Sequence, residues 1–365
     1  MIKPFITNTI LKEITVIEEN RFRISDCSLP VMVTNKLRKN SKKKSSYAST
    51  KIEGNPLTER QASEAIDSDP HRHFLKPEQG VRNYFLALNY LDDMLKNNEP
   101  ISIKLILDVQ DIVEKGASKE KIGLRGPMPP GTLFAVYDQT TGAAEYIPPE
   151  YTDIPALLEE LIDYVNTTDD HPLIVAAVVH YQLVTIHPFE DGNGRTARLI
   201  SGYVMDLNGY GFNGIGSLEE YFAYDVDEYY NSLQMELPAL YYSGRDNPPH
   251  PEVWIEYFLR MVKLYSRKVF ELSQKTNEEN AENSISFLNS KERELLKYIL
   301  SNNIQEYRPI DLSKALNVTN RTIINRTANL AKNGFITPVL VKERITSYRL
   351  SDYSKTYRKD ILCLL

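Results

Sequence analysis

Twelve consecutive residues of this 365-residue chain, HPFEDGNGRTAR at positions 187–198, carry most of the groups that could do chemistry. His187 accepts a proton near neutral pH, because an unperturbed imidazole titrates at about 6.5. Asp191 offers one carboxylate, and magnesium in nucleotide sites is held by one or two carboxylates plus substrate phosphates. The run therefore predicts a nucleotide bound by its phosphates, with a proton taken from a group nearby.

The glycine-rich centre of the run predicts an anion site. Gly192, Asn193 and Gly194 permit a tight turn whose backbone N–H groups converge on one point. A helix that starts near Gly194 directs its positive end to the same point. Arg195 and Arg198 share a face of that helix, and each can fork onto phosphate oxygens. A Walker phosphate loop is excluded, because no Gly-Lys-Ser/Thr follows a four-residue gap from a glycine.

Helices are expected to hold this run in place. Apolar residues recur at helical spacing in Asn83–Leu91, Ile154–Val165 and Pro172–Val184, and residues 166–171 are expected to connect the last two helices. The helix that follows the run is expected to reach about Leu207, where Asn208 and Gly209 stop it. Phe189 is most simply a buried anchor for the loop.

Residues 187–198 also match, at every specified position, the signature HxFx(D/E)GNGRxxR, and VHYQLVTI at 179–186 is typical of the helix before it. The chain therefore resembles Fic-domain proteins of the Fic/DOC family, which usually transfer AMP from ATP to a hydroxyl side chain of a target protein. The resemblance implies a mainly α fold, with a Fic-type helical core and a β-hairpin flap.

The resemblance also implies roles for single residues. His187 would deprotonate the target hydroxyl, Asp191 would hold Mg²⁺, and ATP would lie on the glycine-rich turn. Arg195 would contact phosphate, and Arg198 would contact the γ-phosphate. The expected nucleotide-binding residues are Gly192, Asn193, Gly194, Arg195, Thr196, Ala197 and Arg198, with Tyr230 from a later helix as a candidate for the adenine pocket. His180, on the apolar leading helix, is expected to be structural.

An upstream segment, STKIEG at 49–54, fits the inhibitory pattern (S/T)xxxE(G/N) of many Fic proteins. Ser49 and Glu53 are four residues apart and would share a helix face, and Gly54 suits a helix end. In the family this glutamate reaches the second signature arginine, here Arg198. A carboxylate there takes the place of the γ-phosphate, so ATP binds in a pose unsuited to attack. The motif precedes the active site, as in the N-terminally inhibited class.

Two short strand-like runs, Leu133–Tyr137 and Ala144–Ile147, flank the turn residues Asp138–Gly142. β-formers around turn residues predict a hairpin. Fic proteins carry a hairpin flap at this position, over the active site, and its edge could bind a target segment by strand addition. The alternative is a surface hairpin without a partner.

The C-terminal region changes in composition. Helices are predicted over Lys291–Ser301, Ile310–Val318 and Thr319–Gly334, and strands over Phe335–Val341 and Ser347–Leu350. Helix–turn–helix followed by a hairpin resembles a winged helix, a small α+β domain. Residues 287–365 contain 14 Lys and Arg against 7 Asp and Glu, whereas the whole chain has a net charge of −6. Such a basic module predicts DNA contact, with dimerisation or target docking as alternatives.

Composition sets broader limits. We expect an N-terminal helical region carrying the inhibitory motif at 1–95, a Fic core at 96–272, a linker or helix end at 273–286 and the winged helix at 287–365. Cys27 and Cys363 lie far apart in the sequence and outside any His/Cys cluster, so neither a disulfide scaffold nor a zinc site is expected. The chain has no membrane-spanning apolar run or signal-type block, which favours the cytoplasm. The basic run Lys36–Lys44 is expected to be a solvated loop.

The sequence thus predicts a protein adenylyltransferase that uses ATP and Mg²⁺, acts on Ser, Thr or Tyr of a protein and is inhibited by Glu53. Self-modification is left open. Two alternatives stay open. The same site could remove AMP from a modified protein, or transfer another phosphate-containing group. The chain could also be a nucleotide-sensing regulator that binds DNA. Homodimer formation is left open.

Overall fold

The computed structural model describes residues 1–27, 29, 31–117, 122–137, 142, 144–235, 237, 248–286, 288–341, 344–351, 354–355 and 358–365. Helices dominate these residues, which confirms the mainly α prediction. The chain divides into two compact units. The first comprises Met1–Phe22 and Lys36–Val269, and the second comprises Arg23–Asn35 and Phe270–Leu365.

The helices in chain order are α1 (Asn8–Ser25), α2 (Val31–Ile52), α3 (Glu59–Asp67), α4 (Lys76–Lys96), α5 (Ile103–Glu114), α6 (Ile154–Thr167), α7 (Pro172–Ile186), α8 (Asn193–Leu207), α9 (Glu219–Phe222), α10 (Val226–Gln234), α11 (Glu252–Ser286), α12 (Ser290–Ser301), α13 (Pro309–Ala315), α14 (Asn320–Lys332) and α15 (Arg358–Leu364). The strands are β1 (Val136–Tyr137), β2 (Ala144–Tyr146), β3 (Glu306–Tyr307), β4 (Ile336–Val341) and β5 (Arg344–Leu350). The predicted helices before and after the signature are therefore confirmed to within a few residues.

Helix α7 forms the centre of the first unit. Every side chain from Leu173 to Ile186 is buried except Val184, which is half-buried. A helix that is apolar all round must be covered on all sides, and α6 and α8 pack against it. The buried Trp254 of α11 donates its indole N–H to the carbonyl of Ala177 at 2.7 Å. This burial gives the residues that follow α7 a firm support.

The basic run Lys36–Lys44 was expected to be a loop, and this prediction is wrong. The run lies in α2, and its lysines pair with carboxylates on three other helices. Lys39 and Lys43 pair with Asp67 of α3, Lys42 pairs with Asp92 of α4, and Lys44 pairs with Glu220 of α9. These carboxylate partners are distant in the sequence. The high density of lysine in the run therefore suggested a solvated loop where the structure has a helix.

The flap hairpin is shorter than predicted. Strands β1 and β2 are antiparallel, with Val136 opposite Tyr146 and Tyr137 opposite Ala144. Residues 133–135, which were expected to extend the first strand, are not in a strand. The predicted turn, Asp138–Gly142, lies outside the described residues except for Gly142.

In the second unit, α12, α13 and α14 precede the β4–β5 hairpin, in the order the sequence predicted. The strands form an antiparallel sheet in the order β3-β5-β4. The residues at the centre of its apolar core include Leu296, Ile299, Ile323, Leu330 and Phe335. Gly334 ends α14 with a φ of +79°, as expected for a glycine that follows a helix. The assignment of this unit as a winged helix stays a prediction.

Two further expectations bear on the whole chain. Residues 273–286 complete α11 and are helical, which is the helix-end alternative left open by the sequence. The predicted domain boundaries themselves stay predictions. Within the described ranges, α1 to α15 include no helix with the length and apolar character needed to cross a membrane.

Candidate active site at the start of helix α8

His187 stands at the point where α7 ends. Its backbone N–H still donates to the carbonyl of Leu183 at 3.1 Å, but its φ of 49° and ψ of 58° are left-handed. Residues other than glycine rarely adopt a left-handed backbone conformation. Those that do are concentrated at functional sites. The conformation turns the chain away from α7 immediately after the candidate base.

The His187 imidazole is prepared to accept a proton. Its Nδ1 lies 3.3 Å from the carbonyl oxygen of Val184. A carbonyl can only accept, so Nδ1 carries the hydrogen and Nε2 keeps its lone pair. Burial lowers the pKa of His187 to about 4, helped by the charge of Arg125 and opposed by the Val184 contact, Glu53 and Asp191. The ring is therefore neutral at pH 7.

The loop after His187 is closed by one side chain. The Asn193 amide donates to the Phe189 carbonyl at 2.9 Å, and its oxygen accepts from the Phe189 N–H at 3.0 Å. Phe189 is buried, as predicted, and forms an antiparallel bridge with Leu124. Asn193 itself is buried. It therefore ties the loop together, and its backbone opens α8.

Both glycines of the turn lie against a glutamate side chain, and Gly192 also has a left-handed backbone that favours glycine. Gly192 has a φ of 86°, and a Cβ there would lie 2.5 Å from Oε1 of Glu114. A Cβ at Gly194 would lie 2.5 Å from Oε1 of Glu53. Because the first backbone N–H groups of a helix have no partner within it, the start of α8 presents unpaired donors and a positive dipole end. Such a helix start is compatible with the predicted anion site, and phosphate binding there stays a prediction.

Arg195 lies between two carboxylates. Its Nη2 is 2.8 Å from Oδ1 of Asp191 and 2.9 Å from Oε1 of Glu114. Burial raises the pKa of Glu114 to about 7. Arg195 opposes this shift, and Asp191 and Glu53 add to it. Asp191 is more open, with its side chain 46% exposed, and it stands where a carboxylate could reach a metal ion.

Arg198 is buried and held from several sides. Its side chain is 1% exposed, and Nη2 lies 2.6 Å from Oε1 of Glu53. Its Nε donates to the Ser49 hydroxyl at 2.8 Å, and Nη2 also donates to the Ser49 carbonyl at 3.1 Å. Burial raises the pKa of Glu53, but Arg198 and Arg195 outweigh this, and the pKa stays below its usual value. The structure thus brings both residues of the predicted inhibitory motif onto Arg198.

The two residues of the predicted inhibitory motif lie at the end of α2. The helix ends at Ile52, so Glu53 follows its last turn, and Gly54 takes a φ of 78°. The Glu53 N–H donates to the Thr50 carbonyl at 3.1 Å. The expected helix stop at Gly54 is confirmed, and the turn aims Glu53 at the start of α8.

Sequence reasoning missed Tyr229. Its hydroxyl accepts from Nη1 of Arg198 at 3.3 Å and lies 3.1 Å from Nε2 of the buried His180. An arginine is only a donor, so the Tyr229 oxygen accepts from Arg198, and the tautomer of His180 decides which group donates in the second contact. The neighbouring Tyr230, the predicted adenine contact, is 47% exposed and packs its ring 5.1 Å from that of Tyr229. Its role in nucleotide binding stays a prediction.

Thr196 and Ala197 occupy the first turn of α8 and are both buried. The Thr196 N–H donates to the Gly192 carbonyl at 2.9 Å, which closes the first helical turn. Their side chains pack into the unit, so any contribution to nucleotide binding would come from backbone groups or through packing.

Arg125 was also missed. It is buried, and its Nε donates to the His187 carbonyl at 2.8 Å, while its backbone N–H donates to the Pro188 carbonyl at 2.9 Å. Its guanidinium also donates to the Pro149 carbonyl, just after the flap. Phe134 lies over this guanidinium, with its ring centroid 5.9 Å from that of His187. Arg125 therefore fixes the backbone around the candidate base.

Comparison with known proteins bears on this arrangement. A family model described as the Fic/DOC family matches residues 100–205, which include α5, the flap strands, α7 and the signature. Residues 100–205 are therefore a Fic domain. The Fic domain is 30% identical over 176 residues to "Protein adenylyltransferase Fic" of Drosophila willistoni, across 45% of this chain and 32% of that protein. It is also 30% identical over 177 residues to "Protein adenylyltransferase fic-1" of Caenorhabditis elegans, across 45% and 32%.

Solved structures of Fic proteins share the fold. A Fic family protein from Desulfovibrio desulfuricans G20 superposes with a TM-score of 0.57 at 19% identity, covering 96% of this chain and 98% of that chain. Fic-1 of C. elegans (residues 134–508) superposes with a TM-score of 0.54 at 24% identity, covering 73% and 72%. The chain spans about a third of the length of the curated Fic relatives that it matches.

The environment of His187 predicts an unusual titration. With its pKa lowered to about 4, the imidazole of the folded protein should stay neutral at pH 5.5, where a free histidine is mostly protonated. NMR of the imidazole carbon signals between pH 4 and 8 measures this, and the signal lost in His187→Gln identifies the residue. A midpoint near 6.5 would contradict the assignment of a desolvated base.

Proposed function

We propose that this protein is an adenylyltransferase that moves AMP from ATP to a hydroxyl side chain of a protein. The observation that carries the proposal is the joint placement of a neutral imidazole, the open N-terminus of α8 and two arginines around one loop. Relatives that match 45% of the chain are named protein adenylyltransferases. These relatives are about three times longer than the matched segment, so activity, substrate and partner are proposals for this chain.

The proposed reaction is an in-line displacement at the α-phosphorus. The hydroxyl oxygen forms a bond to the α-phosphorus, the bond from that phosphorus to the bridging oxygen breaks, and pyrophosphate leaves. His187 accepts the hydroxyl proton at Nε2. The N–H groups at the start of α8 and the guanidiniums of Arg195 and Arg198 stabilise phosphate charge, so that positioning and electrostatics supply most of the acceleration.

Asp191 fits the proposed role of magnesium ligand. Its carboxylate is partly exposed at the mouth of the anion site, and magnesium needs only one or two carboxylates beside substrate phosphates. In the described part of the chain, no cluster of three or more His, Cys, Asp or Glu side chains could hold a metal without such a substrate. A bound magnesium would neutralise phosphate charge. Asp191 would then leave Arg195 free to turn to a phosphate.

Glu53 is proposed to inhibit the forward reaction. Its carboxylate oxygen Oε1 lies 2.6 Å from Nη2 of Arg198. The Arg198 guanidinium is the group expected to bind the γ-phosphate. A buried guanidinium cannot lose its proton and needs an acceptor, so Glu53 and the γ-phosphate compete for the same site. Removal of AMP from a modified protein, with Glu53 orienting water, is the alternative reaction at this site.

The proposed partner is a protein with an accessible Ser, Thr or Tyr, including a second copy of this chain. The flap strands β1 and β2 are proposed to bind the target segment by strand addition at a free edge. Tyr146 of β2 donates its hydroxyl to the carbonyl of Thr185, two residues before His187. A cytoplasmic location and a homodimer stay predictions.

Replacing Glu53 with glycine should raise self-labelling by α-labelled ATP and Mg²⁺ roughly 5- to 150-fold, the usual range for coupling between competing ligands. The reason is that Nη2 of Arg198 becomes free for the γ-phosphate. Intact mass should show the gain of one AMP, measured beside Glu99→Gly, which removes an acidic side chain from an exposed turn. Equal labelling of all three proteins would argue against inhibition by Glu53.

Replacing His187 with alanine in the Glu53→Gly background should lower the transfer rate by about 10²- to 10⁴-fold, the usual contribution of a general base. ATP binding should change little, because the phosphates contact α8 and the arginines. Single-turnover labelling measures the rate, and calorimetry measures binding. Transfer at the unreduced rate would remove His187 from the proposed mechanism.

DNA contact by the second unit is a second proposal, and the surface of α14 supports it. The helix contains no acidic residue, and Arg321, Asn325 and Lys332 are exposed along one face. Retention of duplex DNA should fall steeply as the salt concentration rises. Arg321→Ala should reduce the slope of log affinity against log salt concentration by about one. Arg308→Ala, at an arginine already paired with Asp311, is the matched control. Retention that does not change with salt concentration would exclude the proposed contact between α14 and DNA.

A further inference from the structure

Glu114 is a buried carboxylate next to the anion site that the proposed reaction does not use. It is the last residue of α5 and is 3% exposed. Among the described residues, no donor forms a hydrogen bond with either carboxylate oxygen. Its ion pair within the described part of the chain is the 2.9 Å contact with Nη2 of Arg195. A carboxylate so poorly compensated costs free energy of folding, and such a pair is weak evidence for a stabilising role.

The position of Glu114 mirrors that of Glu53. Oε1 of Glu114 faces Gly192, and Oε1 of Glu53 faces Gly194, each 2.5 Å from where a Cβ would be. Glu114 pairs with Arg195, and Glu53 pairs with Arg198. Each glycine of the turn therefore lies against one glutamate, and each signature arginine pairs with the same glutamate as its neighbouring glycine, with Asp191 as a further partner of Arg195.

The charges of Glu114 and Glu53 oppose the binding of a triphosphate at this site. Both carboxylates stand beside the N-terminus of α8, where a triphosphate would place several negative charges. Nη2 of Arg195 is the atom shared by Glu114 and Asp191. Even after Asp191 turns to a metal ion, Glu114 still competes with phosphate for that nitrogen, at low solvent exposure where charges are weakly screened.

We propose that Glu114 is a second restraining carboxylate, which acts through Arg195 to lower the affinity of the site for a nucleoside triphosphate. The inference rests on the proposed function, because it assumes that Arg195 binds phosphate. Glu114 is thus a positioning residue: it holds Arg195 and does not touch the reacting atoms. Glu53 acts on Arg198 and Glu114 acts on Arg195, so removing Glu53 leaves half of the restraint in place.

Calorimetric titration with ATP and Mg²⁺ at pH 8, above the pKa of about 7 for Glu114, tests the proposal in the full chain. Four proteins are compared: the unsubstituted chain, Glu53→Gly, Glu114→Gln and the double variant. Glutamine keeps the shape and removes the charge. The double variant should bind ATP roughly 5- to 50-fold more tightly than Glu53→Gly. The KM for ATP in self-labelling should fall in parallel, with kcat less affected.

The control is Asp108→Asn in the same background. It removes the same charge from the same helix, at a residue paired with Lys104 and hydrogen-bonded to Tyr90. It should change the ATP Kd by less than about twofold, because that side chain is 34% exposed and its charge is screened more strongly than that of Glu114. Thermal unfolding separates the proposal from a structural role: Glu114→Gln should leave Tm unchanged or higher, whereas loss of a stabilising contact would lower it.

The outcomes separate the two claims. If Glu53→Gly transfers AMP but Glu114→Gln leaves the Kd unchanged or weakens it, Glu114 does not restrain the site and the inference is wrong. If tighter ATP binding appears without transfer by any variant, the inference holds and the proposed reaction fails. If no variant binds ATP, both are wrong.

Discussion

The charge of Arg198 governs the organisation of this active site. Its guanidinium is almost fully withdrawn from water, and arginine does not lose its proton in proteins. The free energy of such a buried cation is acceptable only if acceptors surround it. Glu53, Ser49 and Tyr229 supply them. Three elements distant in the sequence, the end of α2, helix α8 and helix α10, are thereby joined at one group.

In the proposed mechanism, this requirement would make inhibition and catalysis depend on the same arginine. In the structure described here the acceptor for Arg198 is a carboxylate of the protein, and in the proposed complex it would be a phosphate of the substrate. Each satisfies the same guanidinium, so occupation by one excludes the other. The site also keeps His187 neutral and its backbone fixed by Arg125. The chemistry is therefore prepared in advance, and access to the arginine decides whether it proceeds.

The local parts of the site could be predicted from the sequence, because their geometry is set within a few residues. The turn at Gly192, the start of α8 and the helix stop at Gly54 all follow from short-range conformational rules. The contacts of Tyr229 and Arg125 could not be found in this way. They depend on which helices pack together, and helical spacing does not decide which of two adjacent tyrosines faces inward. The lysines of α2 were misread for the same reason, since their carboxylate partners belong to other helices.

The ion pairs of α2 have a consequence for the length of this segment. Lys42, Lys43 and Lys44 fix the helix to α4, α3 and α9, and Glu53 follows the end of the same helix. An inserted or deleted residue between these lysines and Ser49 would rotate everything after it by about 100° and shift it by about 1.5 Å. Glu53 would then miss Arg198, although every side chain named here would still be present. The proposed inhibition would then depend on the number of residues along a helix as much as on their identity.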